Sequence, residues 1–361
     1  MKSLSKTAIL AGILCIGLYI SASRAQDPKQ TPAPAAPPAA QNQGTPGRIV
    51  VPVNLIVVPV TVKDGSGNLV PDLHRDEFRL FEDNVEQKID FFNAEATPLS
   101  LIILLDNDMK AKDADKIESS IRSVVAGLSA SDEAFVCRFD QFFHPGKGFT
   151  SDQDKLLIEL KRTPLDDRDN NSTPAQSPQP DANGPIINGH SATSDAPSPA
   201  QTTMFIKAQP TKALDDAVFE SAELLKDRGR DRRKVILLIS DGVNGPKFNK
   251  HSYEASKEDL LRNGITVYSV AASSSYLERK FNRLVDYPHA TGGDAYFGTK
   301  RENFEELYAR VTEQARHQYT LAYTPRGTDR AADYHTIEVR VERPGLKVTA
   351  REGYFKAGVA R

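Results

Sequence analysis

The sequence predicts an α/β fold: a doubly wound, mostly parallel sheet, accompanied by a β-sandwich-like domain built from the strands that flank it toward both ends of the chain. Three observations carry this reading. Two continuous apolar runs, Leu99 to Leu105 and Val235 to Ile239, lead into the aspartates Asp106 and Asp241. Runs of this length suit central strands covered on both faces. Around them, strand-like and helix-like segments alternate, the order that generates a parallel sheet with helices on both sides. Outside this region the chain is β-rich. In one such stretch Ile337, Val339 and Val341 alternate with Glu338, Arg340 and Glu342, the period of a strand with one face in water.

The 361 residues are enough for two or three domains. Residues 1–25 read as a secretory signal: Lys2 and Lys6 open it, Ala8 to Ile20 is apolar, and Ser23-Arg-Ala25 sets small residues before the cut. The run is short for a bilayer, which needs about 20 apolar residues. A membrane is therefore expected only through an uncleaved signal, and the protein is expected to be exported to the periplasm or outside the cell. Cleavage removes Lys2, Lys6 and Arg24 and takes the formal charge from −2 to −5. Cys15 leaves with the signal. Cys137 alone remains, in the apolar run Glu133 to Phe139, so no intramolecular disulfide is expected and the thiol reads as packing.

Residues 26–47 form a linker rich in Pro, Ala and Gln. A second Pro-rich stretch, about 164–210, interrupts the α/β region. Together Asp27 to Pro46 and Pro164 to Pro210 hold 14 of the 23 prolines without hydrophobic period, so both read as disordered. The first β segment, 48–96, opens with the β-branched run Val51 to Val62 and turns at Lys63 to Asn68. Short strands follow at Glu77 to Glu82 and Gln87 to Phe92, around Asp83-Asn84.

The α/β domain, 97–316, is expected to run in this order: strand Ser100–Asp106, helix Asp115–Leu128, strand Glu133–Phe139, a short strand near Gly148, and helix Asp152–Leu160. After the insertion come helix Lys212–Lys226, strand Lys234–Ser240, helix His251–Asn263 and strand Ile265–Ala271. Helix Tyr276–Asp286, strand Ala295–Phe297 and helix Arg301–His317 close it. The last segment, 317–357, returns to strand at Gln318–Tyr323 and Tyr334–Glu342, with Leu346–Tyr354 completing a hairpin across Arg343-Pro-Gly345. Each β segment has only about 40–50 residues, marginal for a core of its own. Joined, they reach the roughly 90 residues of an immunoglobulin-like sandwich. The expectation is an α/β domain inserted into one sandwich; the alternative is two short β extensions packed separately.

The two apolar runs with their aspartates, and Thr291-Gly-Gly-Asp-Ala-Tyr-Phe297, resemble the von Willebrand factor A domain. With the signal, the β start and Arg351-Glu-Gly-Tyr-Phe355, the chain is similar to a group of secreted acidobacterial proteins that carry this domain. The resemblance implies an adhesion site in which a first loop, Asp-x-Ser-x-Ser, a threonine of a second loop and an aspartate of a third ring a Mg²⁺ ion. Here the first loop reads Asp106-Asn107-Asp108-Met109-Lys110. Aligning Ala213-Leu214-Asp215-Asp216-Ala217 with the second loop puts Lys212 at the threonine position, with Thr211 displaced by one. The third loop keeps Asp241.

Three carboxylates (Asp106, Asp108, Asp241) and two ammonium groups (Lys110, Lys212) would thus face the ion's place. An ammonium repels a cation instead of ligating it, which predicts a degenerate, metal-free face held by salt bridges. The competing set, with both lysines turned outward, is Asp106, Asp108, Thr211 and Asp241 around a divalent ion such as Mg²⁺. In a third reading all five residues form a solvated rim with no role.

No catalytic constellation stands out, and no enzyme is expected. The seven histidines are scattered without a metal-ligand spacing. Gly189-His190-Ser191-Ala192-Thr193 lacks the closing glycine of a nucleophile elbow. With no basic stripe, nucleic acid is not expected as a partner. The function expected is a non-enzymatic interaction or adhesion module whose partner is a protein or surface polymer and which needs no cofactor. The alternatives are a structural part of a cell-envelope assembly, with a vestigial site, and a divalent-metal-dependent adhesin.

Overall fold

The structure is a computed structural model. It describes residues 55–109, 117, 121–161, 186–187, 190–191, 212–229, 231–271, 282–298, 301–326 and 332–356. The signal (1–25), the linker (26–47), nearly all of the Pro-rich insertion, and Lys110 and Thr211 lie outside these residues.

The strands in chain order are β1 (Ile56–Lys63), β2 (Phe78–Glu82), β3 (Val85–Gln87), β4 (Phe91–Asn93), β5 (Leu99–Asp106), β6 (Glu133–Phe139), β7 (Phe143–Pro145), β8 (Ile186–Ile187), β9 (His190–Ser191), β10 (Arg233–Ser240), β11 (Ile265–Ala271), β12 (Ala295–Phe297), β13 (Tyr319–Tyr323), β14 (Tyr334–Val341), β15 (Lys347–Ala350) and β16 (Gly353–Phe355). The central sheet has the order β12-β11-β10-β5-β6-β7. Its pairs are parallel except the last, a β6–β7 hairpin. The sequence places a strand near Gly148 instead. Gly148 has φ 126°, outside strand geometry, so the hairpin closes earlier, at Phe143–Pro145.

Alternate residues of each central strand enter two different cores, which is why the runs are apolar throughout. Leu101, Ile103, Leu105, Val235, Leu237 and Ile239 pack on the side of helices α1 (Arg122–Ala126), α2 (Gln153–Lys161) and α6 (Arg301–Arg316). Ile102, Leu104, Cys137, Ile236 and Leu238 face α3 (Leu214–Leu225), α4 (Tyr253–Asn263) and α5 (Asn282–Thr291). Burial pushes the Cys137 thiol up to about 12, so it stays protonated. Helix α4 starts two residues later than the sequence predicts because Ser252 caps it, its side chain accepting from Ala255 N, and Gly264 ends it at φ 64°.

The predicted sandwich is present as two four-stranded sheets, β15-β1-β13-β4 and β16-β14-β2-β3, that mix strands from both flanks. Strand β1 lies between β13 and β15, and β14 between β2 and β16. Val58, Val60, Leu80, Leu321, Tyr323, Ile337 and Val339 fill the space between the sheets. The expected hairpin of Tyr334–Glu342 with Leu346–Tyr354 does not form. After Pro344-Gly345 the chain crosses to the other sheet, where β15 pairs with β1. It then returns at Arg351, whose Nε donates to the Gly353 carbonyl across the bend (2.7 Å), so that β16 pairs with β14. The α/β domain leaves and re-enters the sandwich at one point, where Thr97 N donates to the Arg316 carbonyl (3.2 Å). Among the described residues no helix is long and apolar enough to cross a membrane.

Candidate functional site

In an open α/β sheet, ligands gather beyond the carboxyl ends of strands at the point where strand order reverses. Here that point lies between β5 and β10, which run side by side with Leu105 opposite Ile239. The next residues, Asp106 and Ser240, therefore leave the sheet together, and Ser240 Oγ donates to Asp106 Oδ2 (2.7 Å). Asp106 is fully buried. Its other oxygen accepts the backbone N–H of Asp108 (2.9 Å), which turns the loop after β5 back over the strand end.

Lys212 comes from the segment leading into α3, and backbone bonds on both sides fix it. The Lys212 carbonyl accepts from Gly245 N (2.7 Å), and Ala213 N donates to the Asp140 carbonyl (2.9 Å). Only 3% of the residue is exposed. Its Nζ lies 2.9 Å from Asp106 Oδ2 and 3.0 Å from Asp241 Oδ2. Asp241 Oδ1 accepts from Val243 N (2.9 Å), closing an Asx turn whose next residue, Gly242, has φ 79°.

Asn244 and Asn249 tie the β10–α4 loop to the start of α3. Asn244 Oδ1 accepts from Leu214 N (3.2 Å), and its Nδ2 donates to Asp215 (2.8 Å). Asn249 Oδ1 accepts from Asp216 N (3.0 Å). Asp215 also accepts from the Tyr287 hydroxyl (2.7 Å) and pairs with Arg283 (3.0 Å).

Of the five predicted site residues the structure brings Asp106, Lys212 and Asp241 into one ion-paired cluster. Asp108 sits half-buried on the same loop, and Lys110 lies outside the described residues. Ser240 was legible as part of Ser-Asp-Gly, but its bond to Asp106 depends on the β5–β10 register. Phe142 (65% exposed) and Phe248 (36% exposed) lie in the loops that follow the carboxyl ends of β6 and β10.

Burial is the largest influence on the Asp106 carboxyl and raises it. Lys212 pulls it down and Asp241 pushes it up again, leaving it at about 6. Burial also opposes the Lys212 ammonium, but Asp106 and Asp241 together outweigh it and hold the amine above its usual value. A carboxyl raised on folding favours the native state fully below its unfolded value, near 3.9, and that contribution is lost as pH climbs to 6. Between pH 4 and pH 7 the wild type is therefore expected to lose stability relative to Asp106→Asn. Denaturant unfolding across this range checks it. A wild-type-minus-variant difference that does not change with pH refutes it.

No family model and no curated protein matches this chain. Among solved structures it is similar to an aerotolerance-related membrane protein from Bacteroides fragilis, at 14% identity and TM-score 0.39 over 60% of this chain and 100% of that one. It is also similar to a manganese-loaded TRAP protein of Plasmodium vivax, at 10% identity and TM-score 0.39 over 73% and 96% of the two chains. A third is a von Willebrand factor type A protein from Catenulispora acidiphila, at 10% identity and TM-score 0.41 over 77% and 62%.

Proposed function

We propose that this chain is an exported von Willebrand A-type interaction module, of the secreted acidobacterial kind. In this reading it binds a protein or surface polymer across its strand-end face without a bridging metal ion, and it performs no catalysis. The observation that carries the reading is Lys212 Nζ within 3.0 Å of both Asp106 and Asp241. These are the carboxylates that the resemblance assigns to the ion. They do not fit a divalent cation while an ammonium holds them: two like unit charges about 4 Å apart cost roughly 4 kcal/mol at an effective dielectric near 20, and a divalent ion doubles that. The lysine offsets one of the two strand-end charges from within. Contact with a partner then falls to the rim, where Phe142 and Phe248 supply aromatic surface of the kind that anchors interfaces.

Two measurements test this. Mg²⁺ should leave the thermal unfolding of the wild type unchanged but stabilise a Lys110→Ser, Lys212→Thr variant, by about 2.7 kcal/mol at 100 times its dissociation constant. Stabilisation of the wild type by Mg²⁺ that disappears in Asp241→Asn overturns the metal-free reading. Phe142→Ala combined with Phe248→Ala should weaken binding to cell-surface preparations by at least about 2 kcal/mol with the fold intact. Unchanged binding moves the contact surface to the sandwich edges and favours a structural role in an envelope assembly.

A further inference from the structure

The sandwich holds a second polar cluster, on a different sheet from the strand-end face. Strand β2 ends at Glu82, which points into the sandwich and is fully buried. Asp83 and Asn84 then turn the chain at φ 48° and 64°, the left-handed pair of a two-residue hairpin. Beside them runs β14, whose inward residue His335 is also fully buried. His335 Nδ1 donates to Asp83 Oδ2 at 2.6 Å and lies 3.3 Å from Glu82 Oε1. Its ring stacks on Tyr354 of β16, with centroids 5.3 Å apart, and the Tyr354 hydroxyl donates to Glu82 Oε1 (3.1 Å). Thr336 fixes Asp83 from its other side, donating to Oδ1 through its backbone N–H (2.9 Å) and its hydroxyl (3.1 Å).

As a closed hydrogen-bonded cluster this leaves much unsettled. One imidazole N–H faces two carboxylates. Among the described residues no lysine or arginine pairs with either of them. Glu82 Oε2 and His335 Nε2 are buried without a well-formed hydrogen bond, and the hydroxyl of Tyr323 on the facing sheet lies against Glu82 as its neighbour beside Tyr354. A fully buried carboxylate whose second oxygen lacks a well-formed hydrogen bond is costly.

We propose that Glu82, Asp83 and His335 form a binding site for a divalent transition metal of the zinc class. One oxygen from each carboxylate and one imidazole nitrogen lie within 4.8 Å of one another, with Asp83 Oδ2 2.6 Å and Glu82 Oε1 3.3 Å from Nδ1, so a small movement lets one ion meet all three. An oxygen–oxygen–nitrogen set with one imidazole suits Zn²⁺ and its neighbours better than Mg²⁺ or Ca²⁺. On binding, the ion takes the Nδ1 lone pair of a neutral imidazole that carries its proton on Nε2. The proton displaced from Nδ1 moves to Nε2, or leaves to solvent from a doubly protonated ring, and the ion's two charges then balance the two carboxylates. Tyr354 and Thr336 then hold Glu82 and Asp83 in orientation, as outer-sphere partners of metal ligands do. The ion enters past Asp83, whose side chain is 35% exposed while the other two ligands are sealed. This site is independent of the strand-end face: it uses no residue of that face and lies in the other domain.

The test is titration of the chelator-treated full chain with Zn²⁺ by calorimetry and with Co²⁺ by its visible absorption. One equivalent is expected to bind. Asp83→Asn, on the half-exposed turn, should weaken binding by more than about tenfold, as should His335→Gln. Asp241→Asn and His144→Ala should not change it. Because His335→Gln alters a sealed position, Asp83→Asn carries the decision if that variant fails to fold. Absence of stoichiometric binding, or stoichiometric binding that survives Asp83→Asn, overturns the proposal.

Discussion

Lys212→Met is expected to destabilise the protein by about 3–5 kcal/mol at pH 7, the range for removing one partner of a buried ion pair. The aliphatic stem survives the substitution, so packing beside α3 is preserved and the loss is electrostatic. Asp106 is then fully buried with, among the described residues, Ser240 Oγ and the Asp108 amide as its donors, and Asp241 remains close by as a second negative charge. Burial already lifts Asp106 to about 6 with the lysine present. Without it the carboxyl rises further and takes up a proton on mild acidification, so the gap between variant and wild type should narrow from pH 7 to pH 5. Lys212→Arg keeps the charge but replaces a compact ammonium with a larger, planar guanidinium at a buried position. It should recover only part of the loss. Chemical denaturation at the two pH values decides it: a cost below about 1 kcal/mol would mean that the lysine is dispensable, as for a surface pair.

Residues 47–96 expressed alone are expected to be unfolded, while residues 97–316 fold by themselves. Strand β1 in isolation loses both β13 and β15, and β2 keeps only its hairpin partner β3. A two-stranded hairpin is marginal in water at best. The α/β domain, by contrast, keeps both of its cores, since every residue of those clusters lies between Leu99 and Ala315. It should nevertheless be less stable than in the full chain. Arg233 is buried with its guanidinium on Gln318 and Thr320, so cutting at 316 strips it of acceptors. Circular dichroism and amide exchange on the two fragments provide the measurement. A stable 47–96 fragment, or an unfolded 97–316 fragment, contradicts the insertion.

The central sheet was readable because burial on both faces leaves an unambiguous mark: eight consecutive residues from Leu99 to Asp106 are all buried. The sandwich was readable as a whole, from the alternation at Ile337, Val339 and Val341, but not in its pairing. Nothing local in Leu346–Tyr354 says that the chain changes sheets twice, because the cause is Arg351 reaching across its own bend and on to the carbonyl of Leu261 in α4. At the strand-end face, Asp106, Lys212 and Asp241 came from a motif, and their contacts from a parallel register that only the folded sheet defines. The Glu82–Asp83–His335 cluster left no trace in spacing, since 252 residues separate Asp83 from His335. Its one sequence signal was a histidine at an inward position of an alternating strand.

The hydrogen bond between Thr97 and Arg316 has a consequence for how the molecule assembles. Strand β1 emerges from the ribosome first, yet its partners β13 and β15 come among the last residues made. Through a disordered chain of about 220 residues, bringing those ends together costs roughly 3–4 kcal/mol more in closure entropy than through a short loop. Once the α/β domain has folded, residues 97 and 316 are already neighbours, and that cost has been met by the larger core. The inserted domain thus serves as a splint. Sandwich closure should be fast when the α/β domain is intact and slow when it is weakened, so a substitution such as Lys212→Met should delay strand pairing in a domain that it never touches.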